Sequence, residues 1–313
     1  MPTTYQYTSD DAGAPLLTSE MPQPDASSLG NLLKACLVSG YGARPAAGWT
    51  NPYADGSGKY VLRQGGGSQE YLYLYDGHPS YGGQTVNLKG FETMSALEIG
   101  TNPYPTTAIA TFTAVYVKVA SATPCTWILV ADDRTFYFYS RLFSGGAYAQ
   151  LWFGDFYSQL TSGLYRSFLQ CHSPLSRQAA LTTSLAYPEG AWTPRLHNGI
   201  YNSADQRLNL YGDTAKGAGY PSIFAGDVPY PASGDNKIWT AKIKLGQWNI
   251  PVTRGYLRGT RHWLHQTAAV ADRDIWPGTD ALAGRNFLLI RDVESGGATK
   301  HVLVHETTSW DTN

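Results

Sequence analysis

The chain has 313 residues, of which 42% are apolar and only 15% charged, with 22 Tyr and 9 Trp. That length admits two domains or one large β domain, and the charged fraction falls below the roughly 25% of ordinary soluble domains. Its 23 basic and 24 acidic side chains leave a formal charge of -1, which argues against a nucleic-acid-binding protein built around a concentrated basic patch.

Few charges and many aromatic rings suggest that much of the surface lies against partners rather than water. The longest cationic enrichment, Arg254, Arg258 and Arg261 with His262, is interrupted by Gly255 and Gly259. The start, MPTTYQYTSDDAG, has no basic segment followed by an apolar one, so no signal peptide is expected. Apolar runs such as Trp127–Ala131 fall far short of the ~20 residues that span a bilayer. The expectation is a chain made in a cytoplasm and not inserted in a membrane.

One helix is expected near the N-terminus, over 28–39. Leu29, Leu32, Leu33, Cys36 and Leu37 form a single apolar stripe, and Lys34 lies off it. Asp25, Ser27 or Ser28 can cap its first amides, and Gly40 supplies a left-handed stop. Cys36, Cys125 and Cys171 are odd in number and far apart, with no CxxC spacing, so Cys36 reads as a buried thiol.

The rest reads as strands. Tyr60–Arg63, Glu70–Tyr75 and Thr85–Phe91 are short runs between glycine-rich turns, and Ile109–Val119 is rich in β-branched residues. Trp127–Val130 and Thr135–Ser140 flank Asp132-Asp133 as a hairpin. Further strands are expected at Ala149–Phe153, Arg166–Cys171, Arg207–Tyr211, Ile238–Leu245, Phe287–Val293 and Lys300–Glu306. Gly154-Asp155 is expected to break its strand with a bulge or turn. The stretch from His172 to Pro194 lacks alternation and serves as the boundary between a domain over 1–175, bearing the helix, and a lobe with long loops over 176–313. The fold class is mainly β, with sandwich- or barrel-like domains.

Alternation also places the rings. Tyr71, Tyr73 and Tyr75 share one strand face, opposite Leu72 and Leu74; Tyr137 and Tyr139 oppose Phe136 and Phe138. Such faces suit packing against protein or sugar. Signatures of catalysis are missing: there is no GxSxG elbow, P-loop or GxGxxG, and Gly65-Gly66-Gly67 before Ser68 reads as a loose hairpin turn. His262 and His265 would share a face only in a helix, while His301 and His305 sit roughly 13 Å apart on a strand, too far for one metal ion. Neither a metal nor a cofactor is expected. Glycoside hydrolysis needs two carboxyls at set separations, and Asp132-Asp133, Asp155 and Asp272-Arg273-Asp274 are local candidates. Acids in turns more often satisfy backbone amides, so no enzyme is expected.

Several segments resemble a family of phage virion proteins encoded among tail and baseplate genes. They are Asp11-Ala12-Gly13-Ala14-Pro15, Ala35-Cys36-Leu37-Val38-Ser39-Gly40-Tyr41-Gly42 and Pro45-Ala46-Ala47-Gly48-Trp49-Thr50. Gly90-Phe91-Glu92-Thr93-Met94, Thr135-Phe136-Tyr137-Phe138 and Phe153-Gly154-Asp155-Phe156-Tyr157-Ser158 complete the set. They are scattered over 11–170, and their order carries the resemblance.

The resemblance implies a multi-copy structural component of a tail tip or baseplate, located in the virion and packed against copies of itself and other virion proteins. Tail organisation suggests three- or six-fold symmetry. The expected contacts are Tyr71, Tyr73, Tyr75, Tyr137, Tyr139 and an N-terminal arm laid across a neighbour. The alternatives are a receptor- or glycan-binding tail protein, contacting host surface sugar through Trp192, Trp239, Trp248 and Trp276, or a capsid-associated decoration protein.

Overall fold

Alternating bulky residues direct this chain into sheet. The computed structural model describes residues 3–18, 28–76, 85–104, 114–117, 124–141, 148–159, 167–172, 190–192, 207–211, 240–247, 253–263, 271–293 and 299–310. The fold is mainly β, with antiparallel sheets and one short helix near the N-terminus. In chain order the elements are β1 (Tyr5–Thr8), α1 (Leu29–Lys34), β2 (Thr50–Ala54), β3 (Lys59–Arg63), β4 (Tyr71–Asp76) and β5 (Thr85–Phe91). There follow β6 (Thr93–Ala96), β7 (Ile99–Thr101), β8 (Ala114–Val117), β9 (Trp127–Ala131), β10 (Thr135–Arg141), β11 (Tyr148–Ser158) and β12 (Ser167–His172). The last are β13 (Gly190–Trp192), β14 (Arg207–Tyr211), β15 (Thr240–Gln247), β16 (Thr253–Trp263), β17 (Ile275–Pro277), β18 (Asn286–Val293) and β19 (Thr299–Glu306).

Among the described residues, twelve strands form one sheet in the order β1-β9-β10-β11-β12-β13-β14-β15-β16-β19-β18-β17. β11 meets β10 and β12 along most of its length and then, past Gly154, pairs with β16, Phe156 standing opposite Leu257. The sheet therefore curls back on itself, and β11 to β16 make a ring. A second sheet runs β2-β3-β4-β5-β8, with the separate hairpin β6-β7 beside it. The large sheet crosses residue 175, since β12 pairs with β13 and β11 with β16. The expected division into 1–175 and 176–313 therefore does not separate two sheets.

The layering follows from the side chains. Leu62, Leu72, Leu74, Val86 and Leu88 of the smaller sheet pack with Phe136, Phe138, Leu151 and Phe153 of β10 and β11. The opposite face of those strands carries Tyr137, Tyr139 and Trp152, which meet Leu288, Ile290, Leu303 and Trp310. Strands β9, β10 and β11 thus form a middle layer with core on both sides, as their almost wholly buried sequences require.

The helix behaves as its stripe dictates. Leu29, Leu32, Leu33, Cys36 and Leu37 are all buried, and Ser28 Oγ accepts the Asn31 amide at 3.1 Å. The Asp76 carboxylate takes the Leu29 amide at 2.6 Å, tying the helix to β4. The α-helix ends at Lys34 and passes through a π-helical turn over Ala35–Ser39 before Gly40. Among the described residues no helix is long and apolar enough to cross a membrane.

One expectation about the strands changes. Gly154-Asp155 does not interrupt its strand: β11 runs unbroken through both, and Gly154 adopts φ 133, where a Cβ would lie 2.2 Å from the Arg134 carbonyl oxygen, so only glycine fits there without strain. The cationic run Arg254–His262 is one long strand, β16, and Arg258 points inward. Its guanidinium meets both Asp132 oxygens, at 3.1 and 2.6 Å, and the Thr135 hydroxyl at 3.1 Å. Asp132 also accepts the Arg134 and Thr135 amides at the β9-β10 turn. Burial holds the Asp132 carboxyl above its usual range, with Arg258 and the two amides opposing it. Replacing Arg258 by Met strands a buried carboxylate, so denaturant titration should show a loss of about 3–5 kcal/mol.

Candidate functional site

Among the described residues, the aromatic side chains include internal ties and an outward face on the five-stranded sheet. Tyr137 and Tyr139 are fully buried within the single chain, so they are corrected from contact residues to core. The Tyr137 hydroxyl donates to the Arg258 carbonyl at 2.7 Å, and the Tyr139 hydroxyl bonds His305 Nε2, whose Nδ1 bonds the Thr260 hydroxyl. Period two separates Phe from Tyr along β10 but carries no sign of which face another layer covers.

The extended N-terminal segment is likewise engaged within its own chain. β1 pairs with β9, Tyr7 donates to the Pro45 carbonyl, Asp11 accepts from Tyr41 and Arg44, and Trp127 donates to the Pro15 carbonyl. Arg273 reaches Asp10, which links this segment to the C-terminal part of the chain.

Tyr71 and Tyr75 remain half-buried on the outer face of the five-stranded sheet, with Tyr53 of β2 beside them; Tyr73 at the centre is buried. Register explains the pattern. Lys59, Val61 and Arg63 stand opposite Tyr75, Tyr73 and Tyr71, and on the far side Asn87, Lys89 and Phe91 stand opposite the same three. The β6-β7 hairpin covers the middle, where Met94 packs with Val61, Tyr73 and Phe91. Glu98 at its turn takes φ 65 and accepts from the Tyr73 hydroxyl at 2.7 Å and from Lys59 at 3.0 Å. Those two donors hold the Glu98 carboxyl below its usual range, the Tyr73 hydroxyl contributing most. Cations lie over the outer rings: Lys59 over Tyr75 at 5.2 Å and Arg63 over Tyr71 at 5.3 Å. Alternation identifies the three tyrosines. The cations become visible as their neighbours only once the strand register is known, and Lys89 carries no signal of its own.

Three of the carboxylates considered for catalysis, Asp132, Asp155 and Asp272, tie separate elements together. Gly65-Gly66-Gly67 is not a loose turn: the Gly65 and Gly66 amides donate to the Asp133 carbonyl, and a Cβ on Gly67 would fall 1.9 Å from Asp155 Oδ2. Buried Asp155 accepts from Gln64 Nε2 at 3.0 Å and from the Ser68 amide at 3.1 Å. The Ser68 hydroxyl lies 2.6 Å from Asp155 Oδ1 and 2.8 Å from Gln64 Oε1. The one hydroxyl proton is given to only one of these two acceptors at a time. Burial raises the Asp155 carboxyl above its usual range, with the Ser68 and Gln64 donors opposing it. Nearby Glu70 accepts from Tyr104 at 2.7 Å, and burial pushes its carboxyl up to about 8. Asp272 accepts from Arg141, Tyr148 and the Arg291 amide, and Asp274 takes the Ala271 amide.

Of the remaining residues, Trp276 is half-buried and packs on Phe287, Leu289 and Val304. Trp192 lies in β13, while Trp239, Trp248 and His265 lie outside the described residues. His262 lies on β16 and not on a helix. His305 is internal, and burial lowers its imidazole to about 3. Among the described residues no three His, Cys, Asp or Glu side chains cluster to hold a metal ion. The three cysteines are free thiols, with Cys36 buried as expected.

Two outcomes follow. Tyr139→Ser should destabilise the isolated chain by about 3–5 kcal/mol in denaturant titration, as large-to-small core changes do, whereas Tyr75→Ser should change it by about 1 kcal/mol or less. In the unfolded chain Glu70 releases its proton above 4.5 but in the fold only above about 8, so its contribution to stability is lost as pH rises between those values. His305 binds a proton below 6.5 when unfolded but only near 3 in the fold, so its contribution is lost as pH falls through that range. Urea midpoints measured against pH should therefore decline above 6.5 and below 4.5, and Glu70→Gln should flatten the alkaline limb.

No protein-family model matches the chain, and no curated protein matches it.

Proposed function

We propose that the chain is a multi-copy structural component of a bacteriophage tail tip or baseplate. On this reading it packs against copies of itself and other virion proteins through the outward tyrosine face of the five-stranded sheet. The observation that carries the proposal is the rung pattern of that face, where half-buried Tyr71 and Tyr75 stand opposite Arg63 and Lys59, and half-buried Tyr53 stands opposite Val61 between them. Tyr and Arg are the residues enriched at protein interfaces, and rings already held by a covering hairpin lose little freedom on docking. The sequence resemblance to virion proteins of tail and baseplate gene clusters supplies the biological setting. Ile99, 61% exposed at the β6-β7 hairpin, adds apolar surface beside the rings.

The assembly role involves no bond-making step, and Asp132, Asp155 and Asp272 serve it as internal ties. Peptide mass mapping of purified particles should find the chain in the tail fraction in several copies. Tyr71→Ser with Tyr75→Ser should give a folded chain that fails to enter particles. Absence of the chain from finished particles, or normal incorporation of the double variant, contradicts the proposal.

A further inference from the structure

Among the described residues, the charges on the tyrosine face are not all balanced. Lys59 has Glu98 at 3.0 Å. Among the described residues, Arg63 bonds the Gln69 backbone and side-chain oxygens, the latter at 2.7 Å, and lies over Tyr71. Lys89 lies 5.8 Å from the Phe91 ring centroid, and burial alone lowers its ammonium below the usual range. Neither Arg63 nor Lys89 has a carboxylate within ion-pair distance among the described residues. Tyr71 and Phe91 are directly opposite on β4 and β5. Both cations therefore lean onto one rung, a two-ring platform with two cationic heads at its margin. Glu98 is already committed to Lys59 and Tyr73. Glu92, next to Phe91 in the chain, accepts from Asn102.

We propose that this rung receives an acidic segment of a partner protein, whose carboxylate meets Arg63 and Lys89 while its flanking residues cover Tyr71 and Tyr75. The inference rests on the assembly reading above and names the chemistry of what docks there. Burying the rings strips water from the two cations beside them, and a desolvated cation without a counter-charge opposes docking. Pairing them turns the same desolvation into selectivity for an acidic partner and against a basic one.

The test uses the full chain with poly-L-glutamate as probe and alginate as an anionic-sugar comparison. Three forms are titrated at low and high salt: the native chain, Arg63→Gln with Lys89→Gln, and Lys34→Gln as an exposed cation elsewhere. Thermal melts confirm that each variant is folded. The expected result is salt-sensitive binding of polyglutamate that weakens at least tenfold in the double variant and is unchanged in Lys34→Gln. Equal weakening in Lys34→Gln, no weakening in the double variant, or a clear preference for alginate overturns the inference. Incorporation into particles separates the two levels. If Arg63→Gln/Lys89→Gln enters particles normally while Tyr71→Ser/Tyr75→Ser does not, the acidic partner alone is refuted. If both enter normally, the tyrosine face itself is refuted as the interface.

Discussion

A buried tyrosine hydroxyl must find a hydrogen-bond partner, and this fold is organised around meeting that demand in its middle layer. Strands β9, β10 and β11 have core on both faces, so the polar tips of Tyr137, Tyr139 and Tyr148 cannot reach bulk water without leaving the layer. Each tip is satisfied by a group from the C-terminal third: the Arg258 carbonyl, the His305 ring and the Asp272 carboxylate. Apolar rings alone would tolerate several packings, whereas a ring with one hydroxyl and one fixed partner selects a single register. The partners lie 121 to 166 residues away along the chain, so satisfying these tips also fixes the curl of the large sheet.

The same logic assigns the carboxylates. Asp132 takes Arg258, Asp155 and Glu70 fill the seam under the triglycine loop, and Asp272 gathers Arg141 and Tyr148. Every one of them joins segments from different elements. The sheet that these ties hold in place has its inner face committed to the core, and its outer face is where unburied rings and unbalanced cations coincide.

The local parts of this architecture were legible in the sequence. The helix was readable because Leu29 to Leu37 follow the 3.6-residue period and Ser28 stands at the cap; β4 and β10 were readable from strict alternation. The choice of face was not. In β10 both faces are aromatic, and period two separates Phe from Tyr without saying that both are covered. β16 was obscured because Gly255, Gly259 and four cationic residues resemble a loop, and the partner that draws Arg258 inward, Asp132, is 126 residues away. Gly154 looked like a strand breaker, yet its freedom at positive φ is what lets β11 continue past the Arg134 backbone. At the candidate site the three tyrosines of β4 could be named, but Lys59, Arg63 and Lys89 become their neighbours only through strand register, which is a long-range property.

The central claim is that Tyr7, Tyr104, Tyr137 and Tyr139 are interior ties, whereas Tyr53, Tyr71 and Tyr75 lie on an outward face. Nitration of the isolated, folded chain with tetranitromethane, mapped by peptide mass spectrometry over time, tests this directly. Tyr53, Tyr71 and Tyr75 should react well before Tyr7, Tyr104, Tyr137 and Tyr139. Reaction of Tyr137 or Tyr139 as fast as Tyr71 would contradict the account.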